Sequence, residues 1–204
     1  TMAPMRRMSK RLNKRGARGL NENYGRELLE LHTLGVDGGY TQQDVIEVAR
    51  CFTGWTIREG QFYFAPGTHD NGEKTVLGVT IPAGGGKEDA EKVLDIISRH
   101  PSTARFISRK LAQRFVADDP PRTLVDTMAA AFAKTDGNLR EVMKIMLNSK
   151  EFWSSDVYRA KLKSPFELVV SAVRAGGADV KNPVVLAMAA ERLGQPLYRK
   201  LEPT

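Results

Sequence analysis

Glu27, Glu30 and His32 stand close together in the stretch "NENYGRELLELHTLG", and a second acid, Asp70, follows His69 in "HDNGEK". Two carboxylates and an imidazole are the groups that acid–base hydrolysis uses, with one acid protonating a leaving group and a second base activating water or attacking. Around them stand side chains suited to holding a ligand: Asn23, Trp55, His69, Lys74, Arg105 and Arg109. No metal site is assigned. "HDNGEK" offers oxygen donors but lacks the alternating acids and distant glutamate of a calcium loop, and Asp-Asn-Gly is also ordinary turn chemistry. "GGGK" lacks the spacing and the following Ser or Thr of a phosphate loop, so no P-loop is expected and the cofactor is unknown. There is no Gly-x-Ser-x-Gly elbow. Cys51, the single cysteine, lies at the edge of an apolar helix face and reads as a packed thiol; alone it excludes an internal disulfide.

Glu27 raises a sharper question. At about 100° per residue it falls inside an arc of Leu20, Tyr24, Leu28, Leu31 and Leu34. A carboxylate among apolar neighbours must be neutralised or paired, because an uncompensated buried charge costs several kcal/mol. The helix that begins at Pro101 supplies cations, with Arg105 and Arg109 on one side of its expected apolar arc, Ala104, Ile107, Leu111 and Phe115. An ion pair between Glu27 and Arg105 or Arg109 is therefore expected.

The elements that must position these groups are mostly helices. Asn21 caps a helix over 21–35 that Gly35 stops; Thr41 and Asp44 form a capping box for the next, whose apolar stripe is Val45, Val48, Ala49 and Phe52. From Trp55 the period changes, and "WTIREGQFYFAPG" predicts a β-hairpin. Half of its aromatic side chains would pack inward; the outward half would form a platform for a sugar or a peptide. Helical patterns fill the remainder. The expectation is a mainly α fold of about seven helices with a small antiparallel β insertion at about residues 55–86. Residues 1–18 read as a basic, flexible leader and 19–204 as one helical domain, a fragment of a longer chain.

Charge placement narrows the partners. The net charge is +7, yet Arg6, Arg7, Lys10, Arg11, Lys14, Arg15 and Arg18 all lie in the leader; the other 24 basic residues balance 24 acidic ones. Specific nucleic-acid binding is not expected, since it needs a basic stripe on a folded surface. No apolar run reaches the roughly 20 residues of a membrane span. The partner is an unidentified ligand or protein.

"NENYGRELLELHTLGVDGGYTQQDVIEVARCFTGW" resembles the bacterial family called domain of unknown function 1800, and the likeness continues through "FYFAPGTHDNGEKTVLG", "HPSTARFISRKLAQRFV", "LNSKEFW", "KSPFELVVSAVRA" and "LGQPLY". Asn21, Glu22, Asn23, Arg26, Glu27, Glu30, Leu34 and Gly35 match its first block. Phe52, Thr53, Gly54 and Trp55 match the second, and His69, Asp70, Gly72 and Lys74 the third. Gly25 departs, alanine being usual there. The resemblance implies a mostly helical domain and, since many members look exported, a place in the bacterial envelope; it implies no reaction or cofactor. Two functional readings are open: an acid–base hydrolase with a polar cleft of Glu27, Glu30, His32, His69, Asp70 and Arg105, and a non-catalytic scaffold or binding module in which the same carboxylates are ion-paired.

Overall fold

Asn21 opens the first helix as the sequence requires, its side chain accepting a hydrogen bond from the Tyr24 amide at 3.1 Å. The structure is a computed structural model describing residues 19–199, so the basic leader expected at 1–18 lies outside the described residues. Helix α1 spans Glu22–Glu27 and runs directly into a π-helical turn, Leu28–Thr33. The wider turn is set by hydrogen bonds five residues long, from the Leu34 amide to the Leu29 carbonyl at 2.7 Å and from the Thr33 hydroxyl to the Leu28 carbonyl at 2.7 Å.

This turn overturns the expected phase of the segment. The buried line is Gly25, Leu29 and Leu34, a step of four and then of five, while Tyr24 and Leu31 are exposed. Gly25 carries it into contact with helix α2 (Gln42–Cys51): a Cβ there would sit 2.6 Å from the Val45 carbonyl oxygen. Glu27 is consequently on the solvent side. Helix α2 has the predicted capping box, Thr41 and Asp44 bonding reciprocally, and buries Val45, Val48 and Ala49 as its stripe predicted.

The β insertion consists of two antiparallel hairpins. Strand β1 (Trp55–Arg58) pairs with β2 (Gln61–Phe64), and β3 (Lys74–Val76) with β4 (Val79–Ile81). Each turns through two residues with positive φ, Glu59-Gly60 and Leu77-Gly78, the geometry that suits the twist of a tight hairpin. Val76 and Ile81 close one core with Leu29, Leu34, Val45, Val48, Cys51 and Phe52, joined by Ala90, Val93 and Ile97 of helix α3 (Glu88–Ser98).

Helices α4 (Pro101–Phe115), α5 (Arg122–Lys134) and α6 (Leu139–Leu147) come next. The buried face of α4 is Thr103, Ala104, Ser108 and Ala112, a line of small side chains against which α5 packs closely. The expected arc through Ile107, Leu111 and Phe115 is rotated accordingly, and Phe115 is exposed. Contacts divide the chain into two compact units, the first ending at Phe152 and the second starting at Trp153. The second contains helices α7 (Pro165–Ala175) and α8 (Pro183–Arg192), which pack on each other. The architecture is mainly α with a small antiparallel β insertion, as predicted.

Candidate functional site

The candidate residues separate into three places. Glu27 and Asn23 meet on the exposed face of α1, where the Asn23 amide donates to Glu27 Oε1 at 2.9 Å. Neither Arg105 nor Arg109 reaches Glu27. Arg105 pairs with Asp126 at 3.3 Å and Arg109 with Asp119 at 3.6 Å. The expected ion pair is thus replaced by an i, i+4 surface contact, because Gly25 and not Glu27 takes the contact with α2 and the π turn carries Leu34 back to the Gly25–Leu29 line. Glu30 is half-buried and accepts from the Tyr40 hydroxyl at 3.4 Å; burial and then the Glu30 charge push the Tyr40 phenol upward from its ordinary value. His32 is exposed in the last turn before Gly35.

The third motif block builds something different. Lys74 is wholly buried, and its ammonium donates to Asp89 Oδ2 at 2.8 Å, to the Gly72 carbonyl at 2.8 Å and to the Asp70 carbonyl. Three oxygens around one nitrogen satisfy its three donors. The "HDNGEK" turn therefore folds around a tethered cation, its own lysine. Asp89 is fully buried in the first turn of α3, where the helix dipole favours a carboxylate. His69, also buried, puts Nε2 at 3.3 Å from the same Asp89 oxygen. Its Nδ1 lies 2.7 Å from the Thr53 carbonyl, which can only accept, so that nitrogen carries hydrogen. Gly85 lies over the other Asp89 oxygen, where a Cβ would stand 1.9 Å away.

Asp70 faces outward from this cluster into Arg50, which donates through Nε at 2.8 Å and Nη2 at 3.2 Å while its Nη1 reaches Glu47 at 2.6 Å. The Arg50 fork and the Gly72 amide hold the Asp70 carboxyl well below its usual range, at about 2. Thr53 joins the two shells: its hydroxyl accepts from the Asp70 amide at 2.8 Å and donates to the Arg50 carbonyl at 2.6 Å. Arg50, Glu47 and Asp89 escaped the sequence reading. The one signal for them was position: an arginine and a glutamate on the helix that "CFTGW" ends, and an acid just after a glycine run. Beside them burial pushes the Cys51 thiol up to about 12, consistent with a packed, unreactive cysteine.

Open clefts adjoin these groups within the first unit: one of about 350 Å³ is lined by Asp44, Glu47, Glu73 and Lys74, and two others are larger. One, of about 500 Å³, lies where α1 and α2 meet the first hairpin. Four of its rings form a continuous tilted series: Tyr24 to Phe52 at 5.2 Å, Phe52 to Trp55 at 5.2 Å, and Trp55 to Phe62 at 4.9 Å. Asn21, Thr56 and Thr68 add polar groups, and no described residue lining it is charged. Of the expected site residues only Trp55 lines this cleft. The other, of about 690 Å³, holds Arg105 and Arg109. Glu27, Glu30, His32, His69, Asp70 and Asn23 line none of these three clefts. Among the described residues no cluster of three or more His, Cys, Asp or Glu side chains could hold a metal.

The model of one sequence family matches residues 6–204, which take in both the capped α1–α2 helices and the lysine-centred turn. This chain belongs to the DUF1800 family. Its description is "protein of unknown function", so membership adds no reaction. Comparisons of this DUF1800 protein with curated proteins and with solved structures find no match.

Proposed function

We propose that this DUF1800 domain is a non-catalytic binding module whose aromatic cleft takes a neutral, hydroxyl-rich ligand, with a saccharide ring as the occupant. The observation that carries this is the ring series Tyr24–Phe52–Trp55–Phe62 lining an uncharged opening of ligand size. The apolar C–H face of a sugar packs on such rings, while its hydroxyls meet the Asn21 amide and the Thr56 and Thr68 hydroxyls at the rim. A charged ligand would enter without a counter-charge, which argues against one.

What weighs against the hydrolase reading is the engagement of its acids. That chemistry needs two carboxylates facing one opening, about 5–10 Å apart. Asp70 is held in the Arg50 fork, Glu30 accepts from the Tyr40 hydroxyl, and Glu27 is bonded to Asn23 outside the cleft. An envelope location, implied by the resemblance alone, belongs to this proposal. Among the described residues no helix is long and apolar enough to cross a membrane.

The test uses tryptophan fluorescence in a Trp153→Phe background, so that Trp55 alone reports. Saturable change with a neutral oligosaccharide (cellohexaose, chitohexaose or maltohexaose) is expected, and Phe62→Ala should weaken it about tenfold, or about 1.4 kcal/mol. No saturation with any of the three up to about 10 mM, weaker than any useful sugar affinity, defeats the proposal. Cleavage of a bound oligosaccharide would instead restore the hydrolase reading.

A further inference from the structure

Helix α4 carries Arg105, Arg109, Lys110 and Arg114 and not one acid, in a protein whose charges balance outside the leader. Concentrating positive charge on one element raises the local potential for anions. Three of those cations, Arg105, Arg109 and Lys110, line the groove of about 690 Å³ between α4 and the "LGVDGG" turn that succeeds the π segment. Asp37 is the single acid among the residues lining it. No residue lines both this groove and the aromatic cleft, so a site here stands independently of the saccharide proposal.

The details favour an anion with an apolar body. Arg105 and Arg109 are one helical turn apart, which puts both guanidinium groups on one face. Each has one ion-pair partner: Arg105 meets the half-buried Asp126 at 3.3 Å, and Arg109 meets Asp119, whose side chain is 95% exposed, at 3.6 Å. A guanidinium has five donors, so one distant carboxylate oxygen leaves most of them available, and such surface pairs give way to a better-placed anion. Lys110 holds its ammonium 5.3 Å from the centre of the Phe106 ring, and that ring forms part of the groove wall. Gly35 makes room for the ring: a Cβ there would lie 2.8 Å from it. The Ser102 hydroxyl spends its hydrogen on the Gly38 carbonyl at 2.9 Å, so the donors offered to an anion here are those of the cations.

We infer that this groove is a second binding site, for a small ligand that joins an oxyanion, carboxylate or phosphate, to an apolar ring or chain. The two arginines grip the oxyanion in forks, Lys110 adds charge, and Phe106 takes the apolar part. Nucleic acid is the less favoured anion, because a groove of this volume encloses a small molecule rather than tracking a backbone.

The experiment follows amide chemical shifts of the whole 204-residue chain, isotope-labelled, on titration with phenyl phosphate, benzoate and, as the neutral analogue, benzyl alcohol. Saturable shifts confined to residues 34–37 and 101–113 are expected with at least one of the two anions, and none with benzyl alcohol. Whichever anion binds more tightly names the headgroup. Arg105→Gln with Arg109→Gln should weaken binding by about tenfold or more, while Lys134→Gln on α5 leaves it unchanged. Should the double variant fail to fold, Arg109→Gln alone suffices, since its partner Asp119 stands in solvent and the fold does not depend on that pair. The inference is overturned if neither anion saturates by about 10 mM, if benzyl alcohol binds as well as the anions, or if the arginine variant binds undiminished.

Discussion

Glu27 and Lys74 exchange the roles that composition suggests for them. The glutamate, which a regular helix would bury, sits in water with Asn23; the lysine, normally a surface residue, is sealed with Asp89 and two carbonyls. The reason is local in both cases. Gly25 takes the helix contact that Glu27 would have occupied, and the Asp70–Lys74 turn is too short to let its lysine escape once Asp89 stands beneath it. Their substitutions should differ accordingly. Lys74→Met takes the ammonium from the buried Asp89 carboxylate and from two carbonyls and should cost about 3–5 kcal/mol in urea unfolding, whereas Glu27→Gln should stay within about 0.5 kcal/mol. A large effect at Glu27 would mean that the solvent-side placement is wrong. Asp70 gives a pH signature. Its folded carboxyl lies at about 2, below the ordinary 3.8, so its stabilisation is complete above about pH 4 and is lost as pH falls through about 2. The same sign holds for Asp44, which burial raises but hydrogen bonds from Thr41 and Leu77 lower by more. Urea midpoints measured between about pH 5 and pH 2 should therefore fall, and Asp70→Asn should flatten part of that fall, leaving the share due to Asp44.

At the scale of elements, the caps were legible and the phases were not. Asn21, the Thr41–Asp44 box, the hairpin at Trp55–Phe64 and the proline that opens α4 act through neighbours a few residues away, and sequence records such neighbours directly. A regular helical wheel over 21–35 fails because a π turn shifts everything after Leu28, and because glycine is not counted as apolar although Gly25 is the contact. On α4 the packed line is Ala104, Ser108 and Ala112, chosen for smallness rather than hydropathy. The pairing of Asp89 with Lys74 was hidden for another reason: it spans a hairpin and a glycine loop, and nothing local announces it. The π turn itself makes a prediction. Deleting the exposed His32 turns the five-residue step into four, so that Gly25, Leu29 and Leu34 would share one face of a regular α-helix. That variant should unfold cooperatively within about 2 kcal/mol of the parent. Deleting Ile46 from α2, which has no extra residue to lose, should rotate Val48 and Phe52 off the core and abolish the transition.

Burial is distributed unevenly over the whole molecule. The core of α2, α3, the π turn and the second hairpin is continuous, and α4, α5 and α6 add Ala112, Met128, Val142 and Met146, all fully buried. The unit from Trp153 has a capping box at Ser164 and Glu167, an Asn182 cap and a bond from the Phe166 amide to Gln195, so its helices are well specified locally. Yet Ala190 is the only buried residue described in it, and Leu162, Val184, Val185, Met188 and Leu193 are exposed. Local specification without burial predicts helices that form and open easily, since packing rather than capping supplies most helical stability in a folded chain. Native-state hydrogen exchange should show this as two levels. Amides of α2 and α3 should open only with global unfolding, while those of α7 and α8 exchange at least about a hundredfold faster, a gap of about 2.7 kcal/mol or more. If α7 and α8 exchanged as slowly as α2, something would have to cover their apolar faces in solution. A protection factor that rose with protein concentration would then identify the cover as a second copy of this chain.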